Sequence, residues 1–169
     1  METNHHGRVS RPVLTQTENN TTLWIGHLQN DSVDHIGGQT FSCPTDGFLD
    51  SIQLYAAAVP FPGEVYLTMH EFDPASRSWG PAMGHSALYV QKNDGDKWIR
   101  FSLSSLELNK GTTYGFRLYT DKGMIGLGEA AHDTNHPFPF GCEWNASSAN
   151  KAGEFYSYFS LTFKLEMRA

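Results

Sequence analysis

The chain has little cysteine, little charge and no long apolar run, and each shortage excludes a class of protein. Only two cysteines occur, Cys43 and Cys142, and neither belongs to a C-x-x-C pair. A zinc ribbon or a thioredoxin-type redox centre therefore has no ligands to use. The two thiols could close one long loop. The plainer reading is two separate buried groups, since a free cysteine packs as a small hydrophobe. Charged residues make up 18% of the 169 residues, below the ~25% usual for globular chains. Lysine and arginine are scattered, and the formal net charge is -6. Such a chain lacks the basic footprint that neutralises phosphates, so no nucleic-acid partner is expected. An anionic membrane surface is disfavoured for the same reason. No run approaches the ~18 apolar residues of a membrane span. The opening Met1-Glu2-Thr3-Asn4-His5-His6-Gly7-Arg8 has no apolar stretch of the secretory kind, which leaves the compartment open.

Helical periodicity is missing too, and a period of two stands in its place. Val65, Leu67 and Met69 alternate with Tyr66, Thr68 and His70. Tyr114, Phe116 and Leu118 alternate with Gly115, Arg117 and Tyr119, and Ile99, Phe101 and Leu103 with Trp98, Arg100 and Ser102. Phe48, Ile52, Leu54 and Ala56 share one face, and Phe155, Phe159, Leu161, Phe163 and Leu165 another. This is the pattern of half-buried strands. Turn chemistry separates the runs at Pro60-Phe61-Pro62-Gly63, Asp73-Pro74, Asn93-Asp94-Gly95-Asp96 and Asn109-Lys110-Gly111. The expected fold is all-β, a single-domain antiparallel β-sandwich of the jelly-roll kind over 38–169. Residues 1–37 are polar and weakly patterned. They read as an extension or arm that adds a strand or reaches a neighbour, with self-association through this segment as its use.

Several motifs imitate chemistry that the surroundings do not support. Gly126-Leu127-Gly128-Glu129-Ala130-Ala131 fits a dinucleotide fingerprint, but that motif needs a strand opening into a helix, and Pro137 and Pro139 follow. Gly84-His85-Ser86-Ala87-Leu88 resembles a nucleophile elbow whose last glycine is replaced by Leu88. No H-E-x-x-H or H-x-H occurs. The Pro-rich stretch 131–144 does concentrate His132, Asp133, His136, Cys142 and Glu143. Imidazole, carboxylate and thiolate could hold a zinc-like ion, with His132, Asp133 and His136 as the candidate ligands. A hydrolase would need two carboxylates about 5–9.5 Å apart; Glu64, Glu71, Glu129 and Glu143 are the candidates. No catalytic residue is assigned and no cofactor is expected.

Aromatic residues are abundant: four Trp, seven Tyr and 11 Phe. Strand phase sends Phe48, Phe101, Tyr114, Phe116, Phe155, Phe159 and Phe163 to the core. It leaves Trp79, Trp144, Tyr156 and Tyr158 without a core role. Exposed rings offer an apolar face and, in Tyr and Trp, a polar handle. A pyranose is built to match, with C–H groups on one face and hydroxyls around its rim. These four rings, with Arg117 and Asn145 as hydrogen-bond partners, are the candidate carbohydrate-binding residues.

One further observation is the order of the motifs. Gln39-Thr40-Phe41 comes first, then Gly47-Phe48-Leu49-Asp50-Ser51-Ile52 and Trp98-Ile99-Arg100-Phe101. Leu108-Asn109-Lys110-Gly111-Thr112-Thr113-Tyr114-Gly115-Phe116-Arg117-Leu118 follows, and Ile125-Gly126-Leu127-Gly128, the Pro-Phe-Pro-Phe-Gly stretch, Trp144 and Leu161-Thr162-Phe163 close the series. Over residues 38–167 this order resembles the jelly-roll β-sandwich modules of bacterial surface and secreted proteins, which are similar to carbohydrate-binding modules. The resemblance implies a non-catalytic binding module and an extracellular or cell-surface setting. The alternatives are a structural or assembly subunit of a surface or phage fibre, and a metal-dependent or glycoside hydrolase.

Overall fold

The computed structural model describes residues 9–28 and 31–169. The runs with a two-residue period are strands: β1 (Arg11–Gln16), β2 (Thr21–His27), β3 (Asp34–Ser42), β4 (Gly47–Phe61), β5 (Gly63–Asp73), β6 (Ser78–Val90), β7 (Lys97–Leu108), β8 (Thr113–Thr120), β9 (Met124–Ala131), β10 (Glu143–Ser147), β11 (Glu154–Tyr156), β12 (Phe159–Leu161) and β13 (Phe163–Arg168). A single 3-10 turn at Lys92–Asp94 is the helical content of the described residues. Local chemistry explains the joints. Between β5 and β6, Asp73 accepts hydrogen bonds from the Ala75 amide at 3.0 Å and the Ser76 hydroxyl at 2.8 Å. Arg77 takes φ 55° there, which closes a tight hairpin.

All the ladders are antiparallel, and they join into one sheet. Its order is β1-β13-β4-β9-β2-β3-β8-β5-β6, with β7 on β4, β12 on β9, and β10 between β3 and β11. The expected sandwich has two sheets; here the ladder continues through the place where they would part. The long strand β4 pairs with β13 along 48–54 and then with β9 along 56–61, with register breaks that bend it. On the other side Thr162 marks a handover. β12 lies on β9 and β13 on β4. The sheet curls so far that β6 and β7 touch with no ladder between them. The 93–96 turn therefore joins two strands that do not pair, and Asp96 rather than Gly95 takes the positive φ.

The inner surface is the core, built from Phe41, Leu54, Leu67, Phe101, Phe116 and Phe163 among others. Three rings assigned to the core by phase, Phe48, Phe155 and Phe159, lie outside it; Phe159 is half-buried against Tyr156. A bulge between Leu49 and Ser51 puts Leu49 in the core and leaves Phe48 half-buried beside Arg168. Phe155 packs on the outer face against Phe72 and Trp79. Cys43 is buried, Cys142 is half-buried, and both are free thiols.

The boundary expected at 37/38 falls inside β3. β1 pairs with β13 and β2 with β9, and Ile25 is fully buried. The 11–27 stretch completes its own sheet, because Leu14 and Ile25 supply apolar side chains that the curled interior lacks without them. What the first eight residues of the proposed arm do lies outside the described residues. Removing residues 1–17 should uncover the β13 edge, lower the melting temperature and promote association, since a bare strand edge invites pairing. Light scattering with a thermal melt checks this; an unchanged monomer would contradict it.

Candidate functional site

The outer face of strands β6, β5, β8, β3, β10 and β11 carries the most polar-aromatic chemistry. Because Leu67, Met69, Phe116 and Leu118 point inward, the intervening residues must point out. The registers align them in rows. One row runs His85, Thr68, Arg117, Gly38, Trp144, Phe155. The row beside it holds Tyr66 against Tyr119, and the row on the other side His70 against Gly115.

Two glycines clear space on this face. A Cβ on Gly115 would lie 2.6 Å from the Trp79 ring, and one on Gly38 would lie 3.0 Å from the Trp144 ring. The indoles thus lie directly over bare backbone. They meet edge to face with centroids 5.2 Å apart, and the Arg117 guanidinium sits 4.4 Å from one ring and 4.7 Å from the other. Phe72 and His70 pack edge-on against Trp79. Burial lowers the Arg117 pKa. Burial also lowers the His70 pKa, with the Gly80 carbonyl opposing and the Arg117 charge assisting. Arg117 Nε and Trp79 Nε1 are buried without a hydrogen-bond partner among the described residues.

Hollows flank the cluster. A cleft of about 380 Å³ is lined by Phe72, Arg77, Thr113, Phe140, Cys142 and Phe155. The 140–142 loop forms one wall, held to β3 by Thr40 N–H to Cys142 O at 2.9 Å and Ser42 N–H to Phe140 O at 2.8 Å. Past Arg117 lies a hollow of about 200 Å³ lined by Tyr66, Thr68, His85 and Tyr119. Its two tyrosines stack at 5.0 Å and 25°.

Three of the six candidate binding residues, Trp79, Arg117 and Trp144, come together here. Trp144 is not an exposed ring, however: only 2% of it is accessible, and its Nε1–H donates to the Ala152 carbonyl at 2.9 Å. Asn145 faces the opposite way. With its amide nitrogen turned inward it donates to Glu143 Oε2 at 3.2 Å. Tyr156 is half-buried against Phe159. Tyr158 is 50% exposed and stacks on His136 at 5.6 Å, apart from the indoles.

The metal set is not assembled. His132 Nε2 lies 2.8 Å from Glu18 Oε2, His136 Nδ1 lies 3.0 Å from the Ser157 carbonyl, and Asp133 is exposed. Each imidazole is committed to a different neighbour, and no group of three metal-binding side chains occurs among the described residues. Two of the candidate acids do meet. Glu143 on β10 and Glu129 on β9 are buried neighbours, and Glu143 Oε1 has no hydrogen-bond partner among the described residues. Burial and the neighbouring Glu129 carboxyl push Glu143 up to about 10, against a smaller opposing pull from Asn145. Nearby, Gln39 Oε1 accepts from the Leu161 amide at 3.0 Å, so a side chain bridges β3 and β12 where no ladder joins them.

No family profile matches the chain, and no curated protein is similar to it at a significant level. Solved structures do resemble it. One is the clostridial cysteine protease Cwp84 after propeptide cleavage, with TM-score 0.61 and 10% identity over 95% of this chain and 40% of that one. Another holds the cysteine protease and lectin-like domains of Cwp84, a surface layer associated protein of Clostridium difficile. There the TM-score is 0.52 and the identity 11%, over 90% of this chain and 37% of that one. The chain spans less than half the length of these proteins. What the likeness establishes is a shared fold.

Proposed function

We propose that the protein is a non-catalytic binding module, a jelly-roll-like curled sandwich that takes carbohydrate on the outer face of β5 and β8. The observation that supports this is the stacked Tyr66–Tyr119 pair, with Tyr119 40% exposed, beside Thr68 and His85. Two rings present an apolar surface for pyranose C–H groups, and the hydroxyls and imidazole can meet the sugar rim. The lectin-like domain named for one of the similar structures fits the same reading. The paired acids do not favour hydrolysis. Glu129 and Glu143 are buried, 6% and 0% accessible, whereas a glycosidase holds its two carboxyl groups around the scissile bond of a bound sugar.

A glycan array followed by calorimetric titration tests the proposal. Tyr119→Ala should weaken the best ligand about tenfold, the value of one lost stacking contact. A blank array across diverse polysaccharides would reject it.

A further inference from the structure

We propose that Arg117 is an anion-binding residue and that the carbohydrate it serves is acidic, carrying a carboxylate of the uronic-acid kind. The inference rests on the carbohydrate reading above and adds the ligand class. It starts from charge accounting. Arg100 lies 3.7 Å from Glu166 and Arg168 lies 3.2 Å from Asp50. Arg117 is half-buried, yet no carboxylate pairs with it among the described residues, and burial lowers its pKa. Glu64, Glu71 and Asp73, the acids of β5, stand near the two ends of that strand, away from its middle, where Thr68 faces Arg117. Half-buried arginines are ordinarily paired, because desolvating the cation is costly.

The indoles hold the cation without neutralising it. Their centroids are 5.2 Å apart while the guanidinium carbon is 4.4 and 4.7 Å from them, so both rings approach from one side. The guanidinium therefore lies in a notch, fixed by cation–π contact, with its other side not covered by either ring. Beside it in the register are Thr68 across the ladder and Tyr119 two residues on, both lining the tyrosine hollow. A sugar stacked on Tyr66 and Tyr119 would bring a ring substituent to Arg117. A planar carboxylate matches the guanidinium fork with two parallel hydrogen bonds. The notch fixes the fork before the ligand arrives, which reduces the ordering cost of binding.

The test is calorimetric titration of the full chain with oligogalacturonate, oligoalginate and a glucuronate-containing oligosaccharide, each beside its carboxyl-reduced counterpart. A sulfated glycan without carboxylates forms a third arm. The wild type should bind an acidic form about 10- to 100-fold more tightly than its reduced form, the range for a charge-assisted hydrogen bond. That preference should shrink as salt rises. Arg117→Met should abolish the preference, and Arg117→Lys should restore part of it. Equal binding of acidic and reduced forms by the wild type needs no variant to interpret, and it would overturn the inference while leaving the carbohydrate reading intact. So would undiminished acid preference in Arg117→Met, or preference for the sulfated glycan. Failure of every saccharide to bind would bring down both.

Discussion

Replacing Glu143 with glutamine is expected to stabilise the protein, by little at pH 5 and by much more at pH 9. The reason is proton linkage. Glu143 is held up to about 10 in the folded chain, from an ordinary 4.5, chiefly by burial and then by the neighbouring Glu129 carboxyl. Between those values the folded state keeps a proton that the unfolded state releases. Stability must then fall as pH rises through the window, by about 1.4 kcal/mol per pH unit for one proton. For a chain of this size that is roughly 3–5 °C of melting temperature per unit. A glutamine keeps the shape and still accepts from Asn145, but has no proton to lose. Melting curves of wild type and Glu143→Gln from pH 5 to 9 check this. Two parallel profiles would show that Glu143 carries no such proton.

The second large effect is expected at Trp144. Trp144→Ala should cost about 3–5 kcal/mol, as for other buried aromatic truncations, and lower the melting temperature by roughly 6–20 °C. The indole is 2% accessible, fills the space above Gly38, meets Trp79 edge-on and forms half of the Arg117 notch. Trp144→Phe loses mainly the hydrogen bond to Ala152 and should cost only about 1 kcal/mol. Denaturant unfolding separates the two variants. Equal costs would mean that the ring's bulk is dispensable and that the outer aromatic cluster is a veneer.

Much of the strand pattern is legible in the amino-acid sequence. The alternation of Tyr66, Thr68 and His70 with Val65, Leu67 and Met69 states which residues face outward, as does that of Gly115, Arg117 and Tyr119. What no single strand can state is which outward residues become neighbours. That depends on register, and a register is a property of two segments far apart in the chain. The Tyr66–Tyr119 pair is therefore visible in sequence as two halves and invisible as a site. Trp79 and Trp144 mislead in a different way. Their freedom from the core suggests exposure, but an outer sheet face can be roofed by its own side chains when glycines such as Gly38 and Gly115 make room.

The curled sheet and the N-terminal strands escape sequence patterning for related reasons. Phase cannot reveal a strand that serves two neighbours in turn, as β4 does, because a bulge shifts the phase without altering composition. β1 and β2 are short, and their ladders are long-range: β1 to β13 spans nearly the whole chain, and β2 to β9 joins residues about 100 apart. The acid pair is hidden twice over. Glu129 and Glu143 occupy inward positions that sequence patterning reserves for apolar residues, and they become neighbours only once β9 and β10 are in place.

The pairing of β1 with β13 also sets how the molecule would respond to pulling. Arg11, where β1 begins, lies opposite Met167 near the end of β13, and the ladder runs antiparallel from there to Gln16 and Phe163. A force applied at these two strand ends meets the hydrogen bonds one after another, as in a zipper, and never loads them all at once in shear. The outermost strand should peel away at low tension, while Arg117 and its indoles, carried on β8, β6 and β10, stay seated.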